Sequence, residues 1–255
     1  MKKMLMRYYF QMQSRTKKRK QLKLHYILKK TSAVNAPLIV IFSAFPRTGY
    51  EATYNYLKTL EGIPAHRLYI LDRFGAQKRG TYYLANNGDF TLRSMVQELI
   101  RDIKIQVGTQ RLICVGSSKG GYAALYYGHL MGAECVIAGA PQYYLGNYLS
   151  DQPLKKPILE GVMGNSCQSS IDFLNHLLPD LITQTPTLKM IYLHYSDQEH
   201  TYHEHIQTLI ELLTKKEQPL NLNVAHYNDH QAVRHYFPRY LQTSLLSLQL
   251  GTKKK

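Results

Sequence analysis

Residues 111–125 read R-L-I-C-V-G-S-S-K-G-G-Y-A-A-L, and this stretch decides the fold. Its first part is an apolar run typical of a buried strand, and its last part is small and apolar, as in a helix packed closely on a sheet. The segment between them matches the G-x-S-x-G pattern of a sharp strand-to-helix turn that exposes a nucleophilic serine. The stretch therefore predicts a strand, a turn and a helix, with Ser118 as the nucleophile.

The glycines of this turn have a steric reason. A side chain at Gly116 or Gly120 would collide with the neighbouring strand and helix, and Gly121 allows the helix to lie close to the sheet. The turn also directs the backbone N–H of Lys119 toward the site, where it can stabilise an oxyanion. A tight connection without chemistry, or a phosphate-binding helix start, is the alternative interpretation. The phosphate-loop pattern itself is not matched, because no Lys-Ser or Lys-Thr pair follows a glycine at the required spacing.

Strand-like and helix-like patterns alternate along the rest of the chain. The strand-like segments are residues 21–28, 37–45, 67–72, 111–116, 134–140, 188–195 and 220–226. The helix-like segments are residues 51–60, 92–107, 121–131, 202–216 and 233–249. This alternation predicts the α/β class, with a doubly wound, mostly parallel sheet of the α/β-hydrolase fold. Residues 141–187 mix Pro, Gly and polar residues and are predicted as a lid-like insertion after the sixth strand of that fold, either a lid or substrate wall or plain connecting structure.

The formal charge of +15 is concentrated at the two ends of the chain. Residues 1–30 hold eleven Lys or Arg and no acid, and three Lys end the chain. We therefore expect a basic arm at 1–20, a single domain at 21–250 and a basic tail at 251–255. The basic residues of 1–30 are expected to dock on a glycosylation or export complex, or on an anionic membrane surface, through electrostatic attraction. Nucleic acid is not a predicted partner, because no nucleic-acid-binding motif accompanies the charge.

The cysteines and the apolar runs indicate where in the cell the protein is expected. The three cysteines, Cys114, Cys135 and Cys167, are odd in number and widely spaced, which argues against a disulfide framework or a zinc site. No secretory signal follows the basic N-terminus, and the apolar run at 37–45 is too short to span a membrane. The expected location is cytoplasmic, with peripheral contact to the membrane left open.

Two later strands end in residues suited to an acid and a base. The strand at 188–195 leads into S-D-Q-E-H-T-Y, and the strand at 220–226 leads into Y-N-D-H-Q. Because hydrolases of this fold order their groups as serine, acid and histidine, His230 is the predicted base. The acid is predicted to be Glu199, about four residues beyond the strand end, with Asp197 as the alternative. Its role is to hold the imidazole in the required tautomer.

Other residues complete the expected site. The second oxyanion donor is expected in the loop F-S-A-F-P-R after the first central strand, at the N–H of Ala44 or a neighbour. Three tyrosines of the insertion suit stacking against sugar rings: Tyr143, Tyr144 and Tyr148. Three histidines crowd one segment, His200, His203 and His205, but their spacing matches no strong metal signature. We predict no metal and no cofactor.

Four short motifs resemble a known family. They are I-V-I-F-S-A-F at 39–45, G-S-S-K-G-G-Y at 116–122, Y-S-D-Q-E-H-T-Y at 195–202 and N-D-H at 228–230. Over residues 22–245 the chain resembles the hydrolase domain of the accessory Sec system O-acetyltransferases and related capsular polysaccharide biosynthesis proteins of Gram-positive bacteria. The family's serine, glutamate and histidine match Ser118, Glu199 and His230. The resemblance implies transfer of an acetyl group to carbohydrate of a surface glycoprotein or polysaccharide.

Two classes of function follow. The first is a serine esterase or O-acyltransferase that takes an acyl donor and a carbohydrate acceptor and works through acyl-Ser118. The alternative is a catalytically silent or secondary assembly component of a glycosylation or export complex that docks through its basic arm. The elbow glycines and a complete set of serine, acid and histidine favour the enzyme.

Overall fold

The computed structural model describes residues 13–46, 50–248 and 250. Within these residues one eight-stranded sheet runs in the order β1-β2-β4-β3-β5-β6-β7-β8. The strands are β1 Arg15–Arg19, β2 Leu22–Lys29, β3 Leu38–Phe42, β4 His66–Leu71, β5 Leu112–Ser117, β6 Cys135–Gly139, β7 Met190–Ser196 and β8 Leu220–Ala225. Strands β1, β2 and β4 pair antiparallel, and all other pairs are parallel. The predicted α/β class and mostly parallel sheet are confirmed.

Helices cover both faces of the sheet. In the described part of the chain they are α1 Thr91–Val107, α2 Lys119–Leu130, α3 Leu145–Ser150, α4 Lys156–Met163, α5 Gln168–Gln184, α6 Gln207–Lys215 and α7 Val233–Ser247. Helix α7 buries Phe237, Leu241 and Leu245 on one face. The apolar residues of α1 to α6 fill a larger core on the other face. Each fully buried Leu or Phe contributes roughly 1.5–3 kcal/mol, so the two cores hold the strand ends in fixed positions.

None of the helices in the described ranges has the length and apolar character needed to cross a membrane.

The insertion after β6 is helical and partly belongs to the core. Helix α5 buries Leu174, Leu178 and Ile182 completely. Helix α3 crosses it so closely that a Cβ on Gly146 would lie 2.0 Å from the carbonyl oxygen of Ile171. Helices α3 and α4 also bury Leu145, Leu149 and Leu159, so both halves of 141–187 contribute to the core. The lid or substrate-wall role of residues 141–187 stays a prediction.

Two expectations about local structure were wrong. The helix predicted at 51–60 is a series of turns, because Tyr56 has φ 60° and the N–H of Ala52 bonds to the carbonyl of Lys78 in another loop. Part of the predicted basic arm, Arg15–Arg19, is instead the edge strand β1. Residues 1–12 of the arm and the tail at 251–255 lie outside the described residues.

Ion pairs to α1 hold β1 on the sheet. Lys17 lies 2.5 Å from Asp102, and Arg19 lies 2.5 Å from Glu98. Pairs of this kind contribute little individually at a surface, but here they add to a ladder of backbone hydrogen bonds with β2. A polar R-T-K-K-R segment can thus be a strand without burying an apolar face.

Candidate active site

Ser118 occupies the turn between β5 and α2. Its backbone has φ 51° and ψ −123°, and its N–H donates to the carbonyl of Gly139 at 2.7 Å. A non-glycine residue adopts this region only where the surrounding structure imposes it, and such strain is common at active sites. The turn lifts the side chain from the carboxyl end of the sheet. Ser118 is 8% exposed, so its hydroxyl lies in a nearly closed environment.

The three elbow glycines lie where a side chain would meet backbone. A Cβ on Gly116 would lie 2.1 Å from the carbonyl oxygen of Gly120, and one on Gly120 would lie 2.4 Å from that of Phe42. A Cβ on Gly121 would lie 2.9 Å from the carbonyl oxygen of Gly139. Backbone atoms of packed strands cannot move away, so larger residues here would displace the serine.

His230 begins a short 3₁₀ turn after β8 and points toward the serine. Its Nε2 lies 2.8 Å from the Oγ of Ser118, and its Nδ1 lies 3.0 Å from the Oε2 of Glu199. The side chain of Asp229 caps the turn by accepting the N–H of Gln231 at 2.9 Å. The imidazole is thus fixed between a hydroxyl and a carboxylate, and can accept the serine proton while the carboxylate holds the opposite nitrogen.

The two carboxylates that compete for the acid position have different partners. Glu199 is 1% exposed, and its Oε1 also accepts the hydroxyl of Thr201 at 2.7 Å. Asp197 is exposed, and its Oδ1 lies 2.8 Å from the Nδ1 of His226. Of the two, Glu199 is the one that contacts His230.

The side chain of Lys119 is a feature that the sequence reasoning missed. Its Nζ lies 2.9 Å from the Oδ2 of Asp72, and both side chains are fully buried. The same carboxylate oxygen accepts the N–H groups of Thr81 and Tyr83 at 2.8 and 3.1 Å. Burial lowers the pKa of Lys119, and the charge and hydrogen bond of Asp72 oppose that shift. The pair ties the residue after the nucleophile to the loop that follows β4.

The backbone N–H of Lys119 and that of Ala44 differ in availability. Lys119 is the first residue of α2, so its N–H has no partner within the helix. The N–H of Ala44 donates to the Oδ1 of Asn55 at 2.9 Å. To serve an oxyanion, Ala44 must first release that partner. The adjacent Ser43 is held by the hydroxyl of Tyr83 at 2.6 Å.

Gln142 is a second residue that the sequence reasoning missed. Its side chain is fully buried, and its Nε2 lies 3.4 Å from the Oγ of Ser118. Its Oε1 accepts the hydroxyl of Tyr82 at 3.3 Å, which turns the amide N–H groups toward the serine. The available signal was position, because Gln142 follows β6 at the same sheet edge as the serine, the acid and the base.

The tyrosines predicted to bind substrate are placed differently from one another. Tyr143 is 3% exposed and packs in the core, which leaves no ring face for a sugar, so this expectation is corrected. Tyr144 and Tyr148 are half-buried. Burial raises the pKa of Tyr148 to about 12, and the negative charges of Asp151 and Glu199 add to this effect. Tyr148 therefore lies within electrostatic reach of the acid.

The histidines near Glu199 have separate environments. His205 is buried, and its Nδ1 accepts the N–H of Tyr144 at 3.3 Å. His203 lies on the surface, 3.3 Å from the side-chain oxygen of Gln207. Among the described residues, no three metal-ligating side chains come together.

Comparison with known proteins gives structural similarity alone. No protein-family profile and no curated protein sequence matches this chain. The capsule O-acetyltransferase of Neisseria meningitidis serogroup A is 22% identical, with a TM-score of 0.73 over 93% of this chain and 99% of that chain. A histidine-to-alanine mutant of that enzyme, in complex with CoA, is similar at 21% identity.

Two further structures are similar. A chain of the Gap123 glycosylation-associated complex from Streptococcus agalactiae is 16% identical, with a TM-score of 0.77 over 94% of this chain but 48% of that chain. The fluorophosphonate-binding serine hydrolase FphF from Staphylococcus aureus is 12% identical, with a TM-score of 0.67 over 92% of this chain and 96% of that chain. At these identities the similarity establishes the α/β-hydrolase fold.

Proposed function

We propose that this protein is a serine-dependent acyl-group enzyme, an O-acyltransferase or esterase that modifies carbohydrate. The observation that carries the proposal is the hydrogen-bonded series of Ser118, His230 and Glu199, with contacts of 2.8 and 3.0 Å. A serine alone is a weak nucleophile, and an adjacent base oriented by a carboxylate is the arrangement that activates it. The strained turn at Ser118 supports the same conclusion.

The reaction would proceed in two steps. The Oγ of Ser118 forms a bond to the acyl carbon while its proton passes to the Nε2 of His230, and the N–H of Lys119 stabilises the oxyanion. The leaving group then takes the proton, which leaves an acyl ester on the serine. In the second step His230 accepts the proton of an acceptor hydroxyl, that oxygen bonds to the acyl carbon, and the serine regains the proton. Water in place of the acceptor gives hydrolysis.

The similar structures suggest the substrates. One similar protein is a capsule O-acetyltransferase and another structure of it is a complex with CoA, which favours an acetyl thioester as donor and a polysaccharide hydroxyl as acceptor. The similarity to a chain of the Gap123 complex favours a glycosylation complex as partner. The basic residues of 1–30 are our proposed contact to such a complex or to an anionic membrane surface, from the cytoplasmic side.

The second candidate function is a catalytically silent subunit of such a complex. The similarity to a chain of the Gap123 complex favours it, because that chain acts as part of an assembly, and this chain spans 48% of its length. A silent subunit has no need for an activated serine. Chemical labelling of the serine therefore separates the two candidates.

We expect a fluorophosphonate probe to label the wild-type protein and not Ser118→Ala. Ser117→Ala is the matched control, because Ser117 is the preceding serine and its Oγ instead contacts the hydroxyl of Tyr56 at 2.5 Å. Unlabelled wild-type protein incubated with acetyl-CoA and a polysaccharide then distinguishes transfer from hydrolysis by the acetyl content of the polymer. Wild-type protein that takes no label would favour the silent subunit.

We expect Gln142→Met to lower kcat for a small ester by roughly 10-fold to 10²-fold with little change in KM. Methionine keeps the volume but cannot donate to Ser118 or to the developing negative charge, and loss of one side-chain oxyanion donor costs up to about 10²–10³-fold. Steady-state kinetics with p-nitrophenyl acetate measures the effect. Gln168→Met, at an exposed glutamine of α5, is the control. An unchanged kcat in folded Gln142→Met would show that Gln142 only supports Tyr82.

A further inference from the structure

A groove lies between α7 and the edge strand β8. Helix α7 packs against β5, β6 and β7, which leaves the inner face of β8 only partly covered. The resulting groove has a volume of about 510 Å³. Its helix side carries residues three and four positions apart, Tyr236, Arg239, Tyr240 and Thr243, and its sheet side includes His194 and Asn223.

Two buried polar atoms at this groove have no hydrogen-bond partner among the described residues. They are the Nε2 of His194, which lines the groove, and the hydroxyl of Tyr227, whose ring packs behind the lining residues His194 and Tyr236. His194 is 1% exposed, and its Nδ1 lies 2.6 Å from the Oδ1 of Asn223. That oxygen can only accept, so Nδ1 carries the proton and Nε2 is an acceptor. Buried polar atoms are nearly always hydrogen-bonded, to protein or to ordered water, so this acceptor can take one donor that the described residues do not supply.

An aromatic surface lies beside these atoms. The rings of Tyr227 and Tyr236 are stacked with their centroids 5.1 Å apart. Tyr236 is 48% exposed, whereas Tyr227 is buried. The ring of Tyr236 therefore presents one face to solvent and packs with the other on Tyr227. An exposed aromatic face supported in this way suits the apolar C–H face of a sugar ring, whose hydroxyls stay available for hydrogen bonds.

The charge of the groove favours an anion. Arg239 is one of its lining residues, and none of the described residues that line it is acidic. A guanidinium pairs with a carboxylate through two parallel hydrogen bonds, which gives both charge and orientation. Asp197 lies next to the groove, where its carboxylate contacts the lining residue His226 at 2.8 Å.

We propose that this groove binds an acidic sugar unit, with its carboxylate on Arg239, its ring on Tyr236 and a hydroxyl donating to His194. The inference deepens the proposed function, since it assigns a carboxylate-bearing glycan as the acceptor. The rim of the groove supports the link. His226 lines the groove and precedes the base His230 by four residues, and its partner Asp197 precedes Glu199 by two, so the groove borders the loops that carry the acid and the base.

Calorimetric titration of the full chain with trigalacturonate tests the proposal. Wild-type protein is expected to bind it, and to bind the neutral maltotriose at least 10-fold more weakly. Tyr236→Ala and Arg239→Gln are each expected to lower the affinity for trigalacturonate by at least 10-fold. Arg234→Gln is the matched control, an arginine of the same helix outside the groove, and should bind as the wild type does. Turnover of p-nitrophenyl acetate should be unchanged in Arg234→Gln.

Three results would overturn the proposal. They are no binding of trigalacturonate, an equal loss in Arg234→Gln and Arg239→Gln, and tight binding of adenosine 3′,5′-bisphosphate at the groove in place of the uronate. The second result would mean unspecific attraction to a basic chain, and the third a nucleotide site. Failure of the proposed function is visible separately, as wild-type protein that binds trigalacturonate but takes no fluorophosphonate label.

Discussion

Ser118→Ala and His230→Ala are each expected to lower turnover of p-nitrophenyl acetate by roughly 10⁴-fold or more, with the fold intact. Serine provides the oxygen that attacks, and histidine removes its proton, so either loss stops the same step. Because the two act as a unit, the double variant should be no slower than the slower single variant. The residual rate would come from the oxyanion donors and substrate binding alone.

The measurement is kcat/KM beside circular dichroism and thermal unfolding. Alanine at 118 keeps the constrained backbone of φ 51°, so its thermal stability should change little. His226→Ala serves as the control, because this exposed histidine contacts Asp197 and lies four residues before the base. If the Ser118 and His230 variants kept wild-type rates, the nucleophile and base would be assigned wrongly.

Glu199→Gln is expected to lower turnover by up to ~10⁴-fold, while Asp197→Asn has a mild effect. The buried carboxylate holds the Nδ1 proton of His230 at 3.0 Å, and the neutral amide can hold the wrong tautomer instead. Asp197 contacts His226, so its charge does not orient the base.

The paired variants share one loop and one chemical change, so each controls the other. A structural role for Glu199 near the π-helical turn Tyr202–Ile206 would give a small fall in melting temperature and little loss of rate. A crippling Asp197→Asn with a mild Glu199→Gln would instead identify Asp197 as the acid.

Residue patterns predicted the elements whose packing is encoded locally. The apolar runs of the central strands and the G-x-S-x-G turn determine the sheet, and the strand ends at Ser118, Glu199 and His230 follow from its parallel order. The structure brings these three together. Strand β1 was missed because it is polar throughout, and the helix at 51–60 was wrong because its backbone bonds to a distant loop.

Other contacts of the site depend on single residues far apart in sequence. Lys119 and Asp72 are 47 positions apart, and Gln142 meets Ser118 across 24 positions and Tyr82 across 60. No periodicity marks such pairs. These residues come into contact because the loops after β4, β5 and β6 converge at one edge of the sheet, so the pairs can be recognised only in the folded structure.

The buried pair of Lys119 and Asp72 constrains how this sequence can diverge. Removing one partner leaves an uncompensated charge in the interior, at a cost of about 3–5 kcal/mol, whereas exchanging both for well-packed apolar residues can be neutral. The free energy of unfolding of a typical domain is roughly 5–15 kcal/mol. A protein that has lost one partner has therefore lost much of its stability before the second substitution can compensate. Gly80 is coupled to them, since a Cβ there would lie 2.3 Å from the lysine Nζ. We therefore expect Asp72, Gly80 and Lys119 to change together among related sequences.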